Sequence, residues 1–200
     1  DYIIIDETHR AGAATYQKII NYFSPKFLLG MTASPERTDD YDIFELFDHN
    51  IAYEIRLQKA MEEELIVPFH YFGVTDISVN GELLDENADF NQLTENERVN
   101  RIIEISKEYG CHDNSIRGLV FCSRKEEANE LANKFNIRGL KSLALTGSNT
   151  EYEREKAIER LESDNSEYKL DYIFTVDIFN EGIDIPRINQ IIMLRPTQSN

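Results

Sequence analysis

From residue 98 onward the chain repeats a single pattern, and that pattern restricts the fold more than any other feature. After "RVNRIIEISKEYG" come the apolar runs "GLVFCS", "KSLALT", "DYIFTV" and "QIIMLR", the first three separated by the helical stretches "KEEANELANKF" and "EYEREKAIERLES". Apolar runs that do not alternate with polar residues suit strands covered on both faces. Strands separated by helices of roughly 10 to 15 residues imply βαβ units and a parallel sheet. The expected fold class is therefore α/β, with parallel sheets flanked by helices. No internal repeat of fixed period interrupts it.

Residues 1–74 read less regularly: strand "DYIIID", helix "AATYQKIINYF", strand "KFLLGMT", helix "YDIFELF", a strand near "IAYEI", then a helix near "LQKAMEEELI" that leads into "VPFHYFGV". Residues 75–97 are polar, acidic and weakly periodic, which predicts a linker. The expected organisation is one domain over 1–74, an acidic linker over 75–97 and a second domain over 98–200.

In parallel sheets ligands gather at the carboxyl ends of the strands. Polar clusters follow strand after strand here: "DETH", "TASPER", "CSRKE", "LTGSN" and "TVDIFNEGIDIP". One or two would be turns, whereas the series points to a shared cleft. Adjacent carboxylates at Asp6 and Glu7 suit magnesium-assisted phosphate chemistry, in which one acid holds a hydrated cation and the other orients or deprotonates water. They equally suit the start of a helix, where acids are favoured. Thr32 and Ser34 end the next expected strand, within reach of a bond to His9, although Pro35 also fits an ordinary turn. The last cluster gathers Thr175, Asp177, Glu181 and Asp184 around Gly182, more polar groups than helix capping requires.

Charge and cysteine usage exclude some classes. With 21 basic and 37 acidic residues the net charge is −16, so the whole molecule lacks the basic footprint of a simple nucleic-acid binder, though a local groove is unaffected. Cys111 and Cys122 have neither zinc-site nor disulfide spacing. No stretch is long and apolar enough to span a bilayer, and the first residues do not read as a basic leader with an apolar core and cleavage site. The expectation is a cytoplasmic protein with no membrane partner.

The order "DETH", "MTAS", "LVFCS", "TVDIFNEGIDIP", at these separations, resembles motifs II to V of superfamily 2 helicases and translocases. It is most similar to the DEAD/DEAH-like group containing restriction-enzyme motor subunits and DNA repair helicases. The resemblance implies two RecA-like domains, ATP bound between them, and a nucleic-acid strand, DNA rather than RNA, crossing both. It implies that Asp6 holds Mg2+ through water, that Glu7 activates the hydrolytic water, and that His9 with Thr32 and Ser34 couples the nucleotide site to the strand. Ser123 and Arg124, then Thr146, Gly147 and Arg154, and then Thr175 correspond to nucleic-acid contacts. Gly182 and Asp184 correspond to ATP contacts, with Asp184 near the ribose. Arg37 matches a position common in the group.

Two departures matter. No G-x-x-x-x-G-K-[ST] loop occurs, and the resemblance would place motif VI a short distance beyond "LRPTQSN". The expectation is a fragment of a larger ATPase holding the C-terminal part of the first RecA-like domain and most of the second, inactive by itself. It is expected to self-associate through its incomplete first domain, and the parent to work with a nuclease or modification domain or subunit. Two other readings are a non-hydrolysing nucleic-acid-binding or adaptor module of the same fold, and a metallohydrolase centred on Asp6, Glu7 and His9. The last lacks the helical two-histidine spacing of zinc hydrolases.

Overall fold

The computed structural model describes residues 1–35, 42–74, 78–79, 82–83, 92, 94–179 and 184–195. They form two compact units, residues 1–72 and 73–200.

In the first unit, β1 (Tyr2–Ile5) runs parallel to β2 (Phe27–Gly30), with Tyr2 opposite Phe27 and Ile5 opposite Gly30. The crossover is α1 (Ala14–Phe23), which ends where Ser24 takes a left-handed conformation and returns its N–H to the Ile20 carbonyl. Ile5, Ala11 and Ile43 are buried at the centre, with Ile3, Tyr16, Ile20, Leu28, Phe44 and Phe47 packed around them. Gly30 is required at the end of β2, because a Cβ there would lie 2.4 Å from the Phe47 ring and 2.7 Å from Thr8 Oγ1.

Within "YDIFELF", Ile43–Phe47 form a 3-10 segment started by Asp42, whose carboxylate accepts the Phe44 N–H at 2.9 Å. A short helix, α2 (Leu57–Glu62), follows. The strand expected near "IAYEI" is not formed. Residues 51–55 carry no ladder, and Ile51 and Tyr53 face solvent, so among the described residues the apolar run has neither a paired neighbour nor a covering layer.

The second unit begins with two-residue strands β3 (Ser78–Val79) and β4 (Glu82–Leu83), paired antiparallel inside the stretch expected to be a linker. Next come α3 (Asn96–Tyr109), β5 (Gly118–Phe121), α4 (Lys125–Ile137), β6 (Ser142–Leu145), α5 (Glu151–Glu162), β7 (Tyr172–Thr175) and β8 (Gln190–Met193). The four long strands form one parallel sheet in the order β6-β7-β5-β8.

Both faces of the central strands are covered, which explains why their sequences do not alternate. Val120, Tyr172 and Phe174 face Val99, Ile102 and Ile103 of α3 and Leu131 and Phe135 of α4. Leu119, Phe121 and Ile173 face Ala157 and Leu161 of α5. Phe135 meets Phe174 and Tyr172 edge to face, with centroids 4.9 and 5.4 Å apart, a geometry worth about 0.5–1.5 kcal/mol beyond area burial. α5 starts on a complete capping box: Thr150 accepts the Glu153 N–H while the Glu153 carboxylate accepts the Thr150 N–H at 2.7 Å.

Candidate functional loops at the strand ends

In the first unit the chain leaves β1 through Ile5, which is buried, and immediately exposes Asp6. Asp6 Oδ1 accepts the Glu7 N–H at 2.9 Å. Glu7 adopts a left-handed conformation, φ 49°, which reverses the backbone. The Thr8 N–H can then reach the Met31 carbonyl at 2.9 Å, beside the Met31 N–H bonded to the Ile5 carbonyl. These two bonds continue the β1–β2 ladder past the strands and hold the two exit loops together.

On that frame His9 Nδ1 lies 3.0 Å from Thr32 Oγ1 and 3.2 Å from Glu7 Oε2. A carboxylate can only accept, so a proton on Nδ1 satisfies Glu7 and leaves the Thr32 oxygen as a second acceptor. Thr32 Oγ1 also accepts the Ser34 N–H at 3.1 Å, so Ser34 joins through its backbone. His9, Thr32, Ser34 and Glu7 therefore form one hydrogen-bonded cluster beside Asp6.

A magnesium ion fits this donor set in one particular way. Among the described residues no group of three or more acidic, histidine or cysteine side chains is placed to cage a metal. An exposed carboxylate acting through water suits Mg2+, which keeps several waters and takes one or two protein ligands.

In the second unit the candidate residues lie at the carboxyl edge of the sheet. Ser123 and Arg124 follow β5; the Ser123 N–H donates to Glu127 Oε2 at 3.0 Å, and Arg124 is the N-cap of α4. After β6, the Thr146 N–H donates to Asn149 Oδ1 at 2.8 Å and its hydroxyl pairs with that of Ser148 at 2.8 Å. Arg154, from α5, donates to the Gly147 carbonyl at 3.5 Å, a weak contact that still brings the two candidates together. Thr175 ends β7 fully buried, its carbonyl accepting the Cys122 N–H. Thr175 Oγ1 and Arg154 Nε, like Thr8 Oγ1 and Arg117 Nε, are buried without a hydrogen-bond partner among the described residues. Asp184 is exposed next to buried Ile185, whereas Gly182 and Arg37 lie outside the described residues.

Two ion pairs at this edge are absent from the sequence reading. Arg195 donates to Asp177 at 2.6 Å and lies over the Phe121 ring, reaching across the end of β5 to the exit of β7, where Asp177 is left-handed at φ 60°. Arg98 pairs with Glu127 in the interior. The second was signalled: Glu127 shares a helical stripe with Leu131 and Phe135, and Arg98 one with Ile102, so each is a charge where the periodicity demands an apolar residue. Cys122 is beside this pair, and its burial holds the thiol well above the usual cysteine range, with the charge of Glu127 adding to the effect.

Residues 1–37 match the family of the type III restriction enzyme res subunit, and residues 96–200 match the helicase conserved C-terminal domain. The chain is 27% identical over 199 residues to a 51.5 kDa protein of a Lactococcus phage, covering 98% of this chain and 43% of that protein. It is 26% identical over 154 residues to the type I restriction enzyme EcoAI endonuclease subunit of Escherichia coli, covering 66% of this chain and 19% of that protein. The chain thus spans less than half the length of these curated relatives. Among solved structures, Saccharomyces cerevisiae Dbp5 bound to RNA and ADP BeF3 is similar with a TM-score of 0.45 and 17% identity, over 96% of this chain and 43% of that one. With the helicase conserved C-terminal domain occupying more than half of it, the chain belongs to the superfamily 2 helicases.

Proposed function

We propose that the chain is part of an ATP-dependent motor, a helicase or translocase that converts ATP hydrolysis into movement along a nucleic-acid strand. The observation that carries this reading is the position of His9 Nδ1, 3.0 Å from Thr32 Oγ1 and 3.2 Å from Glu7 Oε2. One ring joins the acid proposed to act on water to the loop after β2, so a change at either is felt by the other.

When bound, Mg2+ supplies charge neutralisation at the phosphates. Asp6 would hold the ion through water, and Glu7 would take a proton from the attacking water on its carboxylate. His9 keeps Glu7 oriented and passes its position to Thr32 and Ser34. In the second unit Ser123, Arg124, Thr146, Gly147, Arg154 and Thr175 contact the phosphate backbone of the strand; Gly182 and Asp184 contact ATP. The likeness to a restriction endonuclease subunit is what favours DNA, and a nuclease or modification subunit as partner, although other relatives are named RNA helicases. The phosphate-cradling loop and motif VI would come from parts of the protein outside these 200 residues.

The test is steady-state ATP hydrolysis by the complete protein containing this chain, with and without single- and double-stranded DNA, beside Glu7→Gln. DNA-stimulated turnover that Glu7→Gln lowers by about a hundredfold or more is the expected result. Turnover unchanged by Glu7→Gln would remove these carboxylates from the hydrolytic centre.

A further inference from the structure

Glu127 sits in the first turn of α4, its side chain 0% exposed, and the Arg98 side chain opposite it, from the first turn of α3, is 2% exposed. Arg98 Nη1 lies 3.4 Å from Glu127 Oε1, while Glu127 Oε2 accepts the backbone N–H of Ser123 at 3.0 Å. Desolvating two charges costs about as much as their pairing returns, and an apolar pair of equal volume in such a place is often as stable or more so. Stability alone therefore does not account for this pair. An apolar pair would lack one capability: it could not accept the Ser123 N–H.

The same helix surface is fastened at further points. Arg138 donates to Asn100 at 2.7 Å and to Asn96 at 3.0 Å, and Lys134 donates to the Thr94 carbonyl at 2.5 Å. The start of α3 is thereby fixed on α4, which gives Arg98 a firm base from which to orient Glu127. One carboxylate oxygen is committed to Arg98, so the other must face the loop after β5.

We infer that Arg98 and Glu127 are positioning residues for nucleic acid: they fix the backbone at Ser123 and so set the direction in which Arg124 leaves the sheet. This rests on the nucleic-acid role proposed above for Ser123 and Arg124. Neither Arg98 nor Glu127 touches the strand, so their effect falls on how tightly it is held and leaves the chemical step unchanged.

The experiment titrates the ATPase of the complete protein with a single-stranded deoxyoligonucleotide. In Arg98→Met/Glu127→Leu both charges are gone and no buried charge is left unpaired, so the fold survives, with a melting temperature lowered only modestly by the loss of the Ser123 N–H acceptor. The oligonucleotide concentration for half-maximal stimulation should rise about tenfold, the factor expected for one lost charge-assisted hydrogen bond, with kcat at saturation unchanged. Amide exchange at Ser123 should quicken in parallel.

Arg98→Lys, which keeps the charge but loses the planar fork, should give a smaller rise of about threefold, and it decides the matter if the double variant does not fold. Half-saturation at the wild-type value in a folded variant overturns the proposal. Arg124→Ala separates the two levels. If it raises half-saturation while the positioning variants do not, only the positioning role fails; if it too has no effect, the nucleic-acid reading of the loop fails.

Discussion

The two units handle the same kind of sequence differently. β5 and β7 bury every residue between helices on both faces. β1 is richer in isoleucine than either, yet Tyr2 is 79% and Ile4 63% exposed, and on α1 Tyr22 and Phe23 are 82% and 62% exposed. An apolar run specifies a strand that wants two covers, and only the second unit supplies both within the described residues. The unit carrying Asp6 and Glu7 is thus held by a small cluster around Ile5, Ala11 and Ile43, while the unit carrying the proposed strand contacts has two cores.

The sharpest test of this contrast is amide exchange on the 200-residue chain. Leu119–Phe121 and Ile173–Thr175 should exchange on the order of a thousandfold more slowly than Ile3–Ile5 and Leu28–Gly30. Equal protection would break the comparison. The exposed faces of the first unit should also drive concentration-dependent self-association, visible by sedimentation.

A smaller effect separates two glycines. A Cβ at Gly118 would lie 2.3 Å from the Tyr172 ring, which is buried and pinned through its hydroxyl to Gln190 at 2.7 Å and Ser106 at 3.1 Å. Gly118→Ala should destabilise the second unit by about 1–3 kcal/mol, measured by denaturant melting. Gly30→Ala meets the tip of Phe47 at 2.4 Å and the Thr8 side chain at 2.7 Å, both in a small cluster that can shift more easily than the pinned Tyr172, and should cost less. The reverse order would mean that the first unit is the more rigidly packed.

The smallest effect concerns acid. Asp164 is held below the usual carboxylate range, first by its hydrogen bonds with Arg187 and then by the charges of Arg187 and Arg117. A depressed folded-state value means stability present at neutral pH and lost as pH falls through that value, below about pH 4. Asp164→Asn should flatten the acid limb of the second unit's melting profile and leave the first unit's unchanged. A profile of unaltered shape would show that this exposed pair contributes nothing measurable.

Much of the second unit could be read from the chain, because buried parallel strands leave unbroken apolar runs and the intervening helices leave stripes. The same rule misled at "IAYEI", since an apolar run states a preference for cover and does not guarantee a neighbour. The contact of His9 with Thr32 was foreseeable from a hydroxyl ending the adjacent strand. The partners of Arg98 and Asp177 were not, because they are chosen by the way helices and strand ends meet, which no local pattern records.

The strand order carries a consequence for synthesis. β5 and β6 are made first, but they do not pair with each other; β7 lies between them and pairs with both. Until Tyr172–Thr175 has left the ribosome, two sticky apolar segments wait on either side of a vacant slot about 4.8 Å from each. Nothing in this sheet can zip until its middle piece arrives, so the nascent chain passes through a long interval of exposed surface in which chaperones have their strongest claim on it.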